Sequence, residues 1–536
     1  MKLKDIDVQQ PVTGKEFFDR EEVLQKLVDG GQNIALVGAR KAGKTSILQQ
    51  FLTVQKVYIA SYYYIPFEET FDYFIFNFFN NIAVAYLKFK NKLAEVGEDI
   101  PKKQFNQLLI QLELAKPEIA NYLNELKDIN GQSRNKGYLR GAVSTLFELP
   151  YLLIKKEKKE FIIILDEFQN VASFNGIIPD VLRQKIQEKR GVYYYLAGSE
   201  IGLIEDMINR YKTPLFGHFT NFRVDYFSYE NARQFALAQC KKRGLIINEG
   251  LLNFLISLTG GFPFYIRVLV YELSSLLVKE KREFVNKKDV KIVLRKSLFG
   301  QQGRLYKHFE ETLDVNLQRR RSGRFYQILK VIAQKPMGIT KIAELVGLKV
   351  TSIPTYINGL LKTELIAKKD GKYFVKDTLM RFWLNAGLSL QENSILDAQK
   401  KLDTFNQKIK EFFDSLKTEL GIAREAQIRE VFILSGSYQR VRGGFIEGQE
   451  LDIIAENEKG YLLGEIKTRN VVENDIKRFL DKIKKTKTKI DRKIFVALMG
   501  IEKKALNLSK AENIEVWDLY RVNRERKKYK LALLKL

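Results

Sequence analysis

Residues 33–52, NIALVGARKAGKTSILQQFL, constrain the fold more than any other stretch. A short apolar strand runs into Gly38, four residues intervene, and Gly43, Lys44 and Thr45 then open a helical pattern. Glycines let the backbone wrap closely, and the free N–H groups of the helix start point into the loop, so the segment forms a cradle for phosphates. In such a cradle Lys44 reaches the β and γ phosphates of a nucleotide, Thr45 holds magnesium, and Lys41 and Ser46 complete the loop. A strand, loop and helix in this order predict an α/β fold.

A second element agrees with the first. FIIILDEFQN at 161–170 is a fully apolar strand ending in Asp166 and Glu167. Asp166 is placed to hold magnesium and Glu167 to polarise an attacking water; a strand simply capped by acids is the plainer reading, and the cradle outweighs it. A third apolar run, VYYYLAGSE at 192–200, ends in Ser199 and Glu200, where a polar side chain could sense the γ phosphate. The expected cofactors are therefore ATP and Mg2+.

Composition narrows the partners. The 536 residues are enough for several domains, and 90 Lys and Arg against 64 Asp and Glu give a formal charge of +26. That excess points first to nucleic acid, with DNA preferred, because neutralising phosphates releases counterions; a solvated basic surface is the alternative. One cysteine excludes an internal disulfide, and two histidines, His218 and His308, offer no zinc cluster, so a catalytic metal is expected on oxygen ligands. The first residues, MKLKDIDVQQPV, lack a signal-peptide core. FDYFIFNFFNNIAVAYL at 71–87 is too short and too polar to span a membrane comfortably and is expected as a buried helix, in a cytoplasmic protein without a membrane partner.

The first part of the chain resembles the archaeal-type ATPases of the STAND branch of P-loop NTPases, relatives of the AAA+ proteins. The resemblance rests on FFDREEVL at 17–24, GARKAGKTS, LDEFQ, AGSEIG, PLFGH at 214–218 and GGFPFY at 260–265. It implies that the FFDRE segment lies near the adenine and that Gly261 and Pro263 begin a helical lid. Where the family usually has Arg, this chain has His218, so Arg210 or Arg223 is left to act on the γ phosphate. A homo-oligomer remains open; a ring-forming motor is disfavoured by His218.

These readings predict a multidomain α/β protein: a P-loop ATPase core at 1–227, a helical lid at 228–315, a winged helix at 316–392, a linker helix at 393–420 and a nuclease-like α/β domain at 421–536. In the winged helix RFYQILKVIAQ, ITKIAELVG and TSIPTYINGLLKTELI are the helices, and AKKDGKYFV is a wing turned at Asp370 and Gly371. Lys349, Thr351, Tyr356 and Asn358, with Lys368, Lys369 and Lys372 on the wing, are candidates for DNA contact; an interdomain packing module is the competing reading. LQRRRSGR at 317–324 is read as a basic boundary.

In the last domain ELDIIAENEKGYLLGEIKTR at 450–469 reads as a hairpin with Asn457–Gly460 as its loop. Counting outward sets Asp452 opposite Glu465, with Lys467 on the face of Glu465. Two facing acids repel, so a cation is expected between them. The order of helix, strands, helix and strand is similar to the core of the PD-(D/E)xK nucleases, which implies that Asp452 and Glu465 hold magnesium and that Lys467 assists cleavage of a phosphodiester; Glu425 stands where the family often supplies another acid. An ordinary surface hairpin with Lys467 paired to an acid is the plainer reading. The basic segments 482–492 and 521–530 could follow a phosphate backbone. The chain is thus expected to be an ATPase coupled to a DNA-binding, magnesium-dependent nuclease-like domain. The alternative is a nucleotide-gated STAND-type switch whose last domain is a non-cleaving scaffold.

Overall fold

A computed structural model describes residues 10–94, 101–128, 136–317, 323–392, 403, 405–411, 424–425, 427–529, 531 and 533–534. Two compact units divide the chain: Met1–Asn231, Phe262–Tyr271 and Ser297–Asn385 form one, and Ala232–Gly261, Glu272–Lys296 and Ala386–Leu536 the other.

The first unit is built on five parallel strands, β1 (Ile34–Val37), β2 (Ile59–Tyr64), β3 (Phe161–Asp166), β4 (Val192–Gly198) and β5 (Thr220–Arg223), in the order β2-β3-β4-β1-β5. Parallel strands need crossovers, and helices on both faces bury the sheet, which is why β1 and β3 are apolar at nearly every position. Pairings such as Val37 with Gly198 and Leu165 with Leu196 bring the C-terminal ends of β1, β3 and β4 to one edge. In open α/β sheets that edge is where ligands bind.

Between β2 and β3 come the helices Phe71–Phe89, Pro101–Ala115, Ala120–Asp128 and Lys136–Ile154. The apolar run at 71–87 is the first of them. Its start is capped by Thr70, whose hydroxyl accepts from the Tyr73 N–H at 3.4 Å, and Phe74, Phe78, Ile82 and Tyr86 recur on its buried face. Phe78 stacks on Phe147 with ring centres 4.5 Å apart, so the run is spent on a protein core. Among the described residues no helix is long and apolar enough to cross a membrane.

The same unit carries helices Gly323–Gln334, Ile339–Val346 and Ile353–Lys362, then β6 (Ile366–Lys369) and β7 (Lys372–Val375) paired antiparallel. Asp370 and Gly371 both take positive φ, 50° and 74°, the conformation a tight two-residue hairpin turn requires. Tyr356, expected at a nucleic-acid surface, instead packs edge-on against Phe325 at 5.1 Å and is half-buried, because its position falls on the flank of the helix that faces the small core. A further helix, Arg304–Leu317, was not anticipated; it buries His308 and Phe309. Five residues of the LQRRRSGR boundary, 318–322, lie outside the described residues.

In the second unit the linker helix expected at 393–420 is described only at 403 and 405–411, which are helical. The terminal sheet has five strands, β8 (Arg440–Ile446), β9 (Gln449–Asn457), β10 (Gly460–Lys467), β11 (Ile490–Ala497) and β12 (Ile514–Asp518), in the order β12-β11-β10-β9-β8. Strand β8, which the sequence reading lacked, adds antiparallel to β9; its glycines, RVRGGFI, hide the strand pattern and coincide with a register shift. Helices Glu473–Lys484 and Lys503–Ala511 provide the crossovers for the parallel pairs β10–β11 and β11–β12. The hairpin turn is tighter than expected: Asn457 pairs with Gly460, and the Asn457 side-chain oxygen accepts from the N–H groups of Lys459 and Gly460 at 2.9 and 3.1 Å.

Candidate functional site

At the C-terminal edge of the first sheet, the loop after β1 is closed by Gly43, whose φ of 105° no L side chain adopts readily. Lys44 follows at the start of helix Lys44–Val54 and is buried, its ammonium donating to the carbonyl oxygens of Gly38 and Ala39 at 2.8 and 3.0 Å. Burial lowers its pKa, with Glu167 and Asp166 opposing that shift. A buried cation resting on loop carbonyls is placed to exchange them for phosphate oxygens.

Asp166, buried at the end of β3, accepts on one oxygen, Oδ2, from both Thr45 Oγ1 and Tyr62 OH, each at 2.8 Å. Burial, then the charge of Glu167, raises its pKa. The hydroxyl of Thr45 and the carboxylate of Asp166 are hard oxygen donors of the kind magnesium takes. Glu167 has φ 55°, a strained left-handed conformation of the sort that clusters at functional sites. Its Oε2 accepts from Ser199 Oγ at 2.6 Å and Gln169 Nε2 at 2.5 Å. Strand ends β3 and β4 thus bring together Asp166 and Glu167 from one segment and Ser199 from another. Lys41 lies on this loop with its ammonium 4.3 Å from the Phe264 ring centre, and Arg40 pairs with Glu311 at 3.0 Å. Ser46, next after Thr45, accepts from the Val12 N–H at 3.1 Å.

Arg223, a candidate for the γ phosphate, is not available for that task. Its guanidinium is bonded to Glu364, to Asp225 at 2.9 Å and lies 3.7 Å from Glu205, because β5 ends beside these acids. His218 is half-buried, and its pKa is lowered by burial and by Arg183.

In the terminal sheet, Glu456 pairs with Tyr461, Ile454 with Leu463 and Ile453 with Gly464, where the β9–β10 pairing ends; β9 shifts register against β8 at this point, so the expected pairing of Asp452 with Glu465 is not formed, although Asp452 stays beside that strand. Ile454 and Leu463 lie in one core cluster with Phe479 and Ile483 of helix Glu473–Lys484, and Glu465 follows Leu463 by alternation; in β9 both Leu451 and Ile454 join that cluster, so alternation is interrupted around Asp452. Asp452 Oδ2 accepts from the Ile466 N–H at 2.8 Å. Lys467 donates to Glu465 Oε1 at 2.8 Å, and Lys482, from that helix, donates to both Glu465 oxygens at 3.1 Å. The positive charge beside the acids is thus supplied in the structure by two ammonium groups. Burial first, then Glu465, raises the pKa of Asp452; burial, then Asp452, raises that of Glu425. Arg429 ties the same corner, donating to the Asp452 carbonyl at 2.6 Å. Among the described residues no three His, Cys, Asp or Glu side chains converge on one point.

Sequence reasoning missed Tyr62, Gln169, Lys482 and Arg429. Gln169 lay within the quoted LDEFQN run; the other three come from elements remote in sequence, where spacing carries no signal.

A phosphate loop on a five-stranded parallel sheet, with an acid pair on the strand two places away, defines the P-loop nucleotide-binding class. Residues 17–269 match a family described as an ATPase domain predominantly from Archaea, and this part of the chain is an ATPase domain. Among solved structures, the Walker-type ATPase PABY2304 of Pyrococcus abyssi is 20% identical, covers 70% of this chain and 98% of its own, and aligns with a TM-score of 0.46. Cdc6p from Pyrobaculum aerophilum is 14% identical over 75% of this chain and 97% of its own, with a TM-score of 0.34. The Holliday junction branch migration motor RuvB of Thermotoga maritima is 12% identical over 69% and 96%, with a TM-score of 0.33. No curated protein matches the chain.

Proposed function

We propose that the chain couples ATP hydrolysis in its first unit to magnesium-dependent cleavage of DNA by its terminal domain. The observation that supports this reading is that Asp452 bonds the Ile466 N–H at 2.8 Å and feels the charge of neighbouring Glu465, which Lys467 contacts at 2.8 Å. In the ATPase part, Lys44 and the loop N–H groups bind the phosphates, Thr45 and Asp166 would hold magnesium, and Glu167 takes a proton from the attacking water. A magnesium ion at Asp452 and Glu465 would lower the pKa of a bound water and offset charge on the phosphodiester. Lys467 then stabilises the negative charge that develops on the phosphate.

DNA is the substrate we infer from the charge of +26, from helices 323–362 and hairpin β6–β7 read as a winged helix, and from the exposure of Lys349, Thr351, Asn358, Lys368, Lys369 and Lys372 on it. The test is a cleavage assay with Mg2+ or Mn2+ on the full chain. Wild type should cut DNA and Glu465→Ala should not, with ATPase turnover kept.

One observation favours a second reading, a nucleotide-gated switch of the STAND type with a non-cleaving terminal scaffold. Lys482 and Lys467 already satisfy Glu465, as an ion pair without a metal would. In that case Glu465→Ala leaves function intact, whereas Lys44→Ala abolishes it.

A further inference from the structure

Three cations crowd the phosphate loop within five residues, Arg40, Lys41 and Lys44. Lys44 is buried on loop carbonyls, and Lys41 lies over the Phe264 ring. Arg40 is the one with room to move. Its side chain is 36% exposed, and its Nη2 pairs at 3.0 Å with Oε1 of Glu311, on helix Arg304–Leu317, whose own side chain is 44% exposed. Among the described residues Glu311 is the only acid within ion-pair distance of Arg40. Lys41 stands 4.0 Å from the other oxygen of the same carboxylate, so one acid serves two cations. An exposed pair of this kind is weak and gives way to a stronger anion.

Arg40 also faces the site. With Ser199, the residue that donates to Glu167, it lines a cavity of about 270 Å³. Burial lowers the pKa of Lys44 and the Arg40 charge lowers it further; burial and then Glu167 raise that of Tyr64, with Arg40 opposing. The guanidinium therefore sits in the same field as the buried lysine and the acid assigned to the water. Arg223, the other arginine on the cavity, is fastened to Glu364 and Asp225. A terminal phosphate carries more charge than a carboxylate and accepts parallel N–H bonds from a guanidinium, so it is the stronger partner for Arg40.

We propose that Arg40 is a catalytic residue for ATP hydrolysis: its guanidinium leaves Glu311 for the γ phosphate and there offsets the charge that develops during transfer. The water oxygen bonds to the γ phosphorus, the bond from phosphorus to the β–γ bridging oxygen breaks, ADP leaves with that electron pair, and the water proton passes to Glu167. Arg40 donates N–H groups to the γ oxygens through this step. ADP presents no γ oxygens, so with ADP the guanidinium stays on Glu311. The exchange thus makes the Arg40–Glu311 pair sensitive to which nucleotide is bound. This inference rests on the loop hydrolysing ATP with Glu167 acting on the water, as proposed above.

Steady-state ATPase assays, with titrations of ADP and of a non-hydrolysable ATP analogue, test it on the full chain. Arg40→Ala should lower kcat by at least about 100-fold and weaken the analogue by about 5- to 10-fold, with the Kd of ADP changed less than about threefold and Tm kept. Arg40→Lys keeps the charge and loses the fork, and should stay at least about tenfold below wild type. An unchanged kcat in Arg40→Ala overturns the proposal, as do equal losses of ADP and analogue binding with a fall in Tm, the mark of a structural role. Glu311→Gln removes the competing charge, so it should tighten the analogue by about threefold and leave ADP unchanged, and the gain should vanish when Arg40→Ala is added. No gain, a gain shared by ADP, or one kept in the double variant contradicts the exchange. Glu167→Gln separates the two claims: if it retains turnover the reading of Glu167 fails, while analogue against ADP binding still decides on Arg40; if it is dead and Arg40→Ala is fully active, only the role of Arg40 fails.

Discussion

Two buried acids in this molecule are satisfied in opposite ways. Asp166 is hydrogen-bonded only by two neutral hydroxyls, from Thr45 and Tyr62, with the Lys44 charge nearby but not bonded to it, so its carboxylate carries no direct ion pair. Glu465 is held by two ammonium groups, Lys467 and Lys482, so an arriving ion must compete with charge already in place. The difference teaches that an acid pair is not by itself a measure of metal affinity; what the acid is bonded to decides how much binding energy is left. On the proposed reading, a cation at the nucleotide site meets only neutral donors on Asp166, whereas one at the terminal site must displace an ammonium from Glu465.

The largest test of that contrast removes the phosphate cation. Lys44→Ala should lower ATP turnover by at least about 100-fold, since a preorganised charge at the phosphates is lost, and abolish any stimulation of cleavage by ATP, while the basal DNA cleavage measured without ATP stays unchanged. A fall in both activities would break the separation of the two sites. Next, Lys482→Ala should raise Mn2+ affinity at Asp452 and Glu465 by about tenfold, measured by calorimetry, because one competing charge is gone and Lys467 alone remains on Glu465. Unchanged affinity would mean that Lys482 is no barrier. Tyr62→Phe should change ATP turnover by only about two- to fivefold, because Thr45 still donates to the same oxygen of Asp166.

The smallest expected effect concerns stability. The pKa of Asp452 is raised in the folded chain, so folding binds a proton there, and the contribution of this group to stability is present at low pH and lost as pH rises through the raised value. Asp452→Asn should therefore raise the Tm of the metal-free protein at neutral pH by about 2 °C, keeping the bond from the Ile466 N–H, and the gain should vanish in acid. A gain that persists in acid would assign the effect to something other than charge.

Much of this was legible in the chain. The phosphate loop is local, so its glycines, Lys44 and Thr45 could be read directly, and the hairpin register followed from counting because side chains alternate along strands. The pairing of Glu456 with Tyr461 came from that count, even though the turn itself is tighter than Asn457–Gly460. What could not be read was tertiary. Tyr62 meets Asp166 across 104 positions and Lys482 meets Glu465 across 17, each joined by a strand or helix packing that no local pattern encodes. Strand β8 was hidden by Gly443 and Gly444, which weaken a strand signal, and Arg223 was misjudged because its acid partner Glu364 is 141 positions away.

The most direct test of the account is anomalous diffraction from crystals of the full chain soaked in Mn2+. The prediction is a peak between the Asp452 and Glu465 carboxylates, with metal–oxygen distances of about 2.1 Å and the Lys482 ammonium drawn away from Glu465. No peak there, at a concentration that fills the Thr45 and Asp166 site in the presence of nucleotide, with Lys482 still on Glu465, would contradict it.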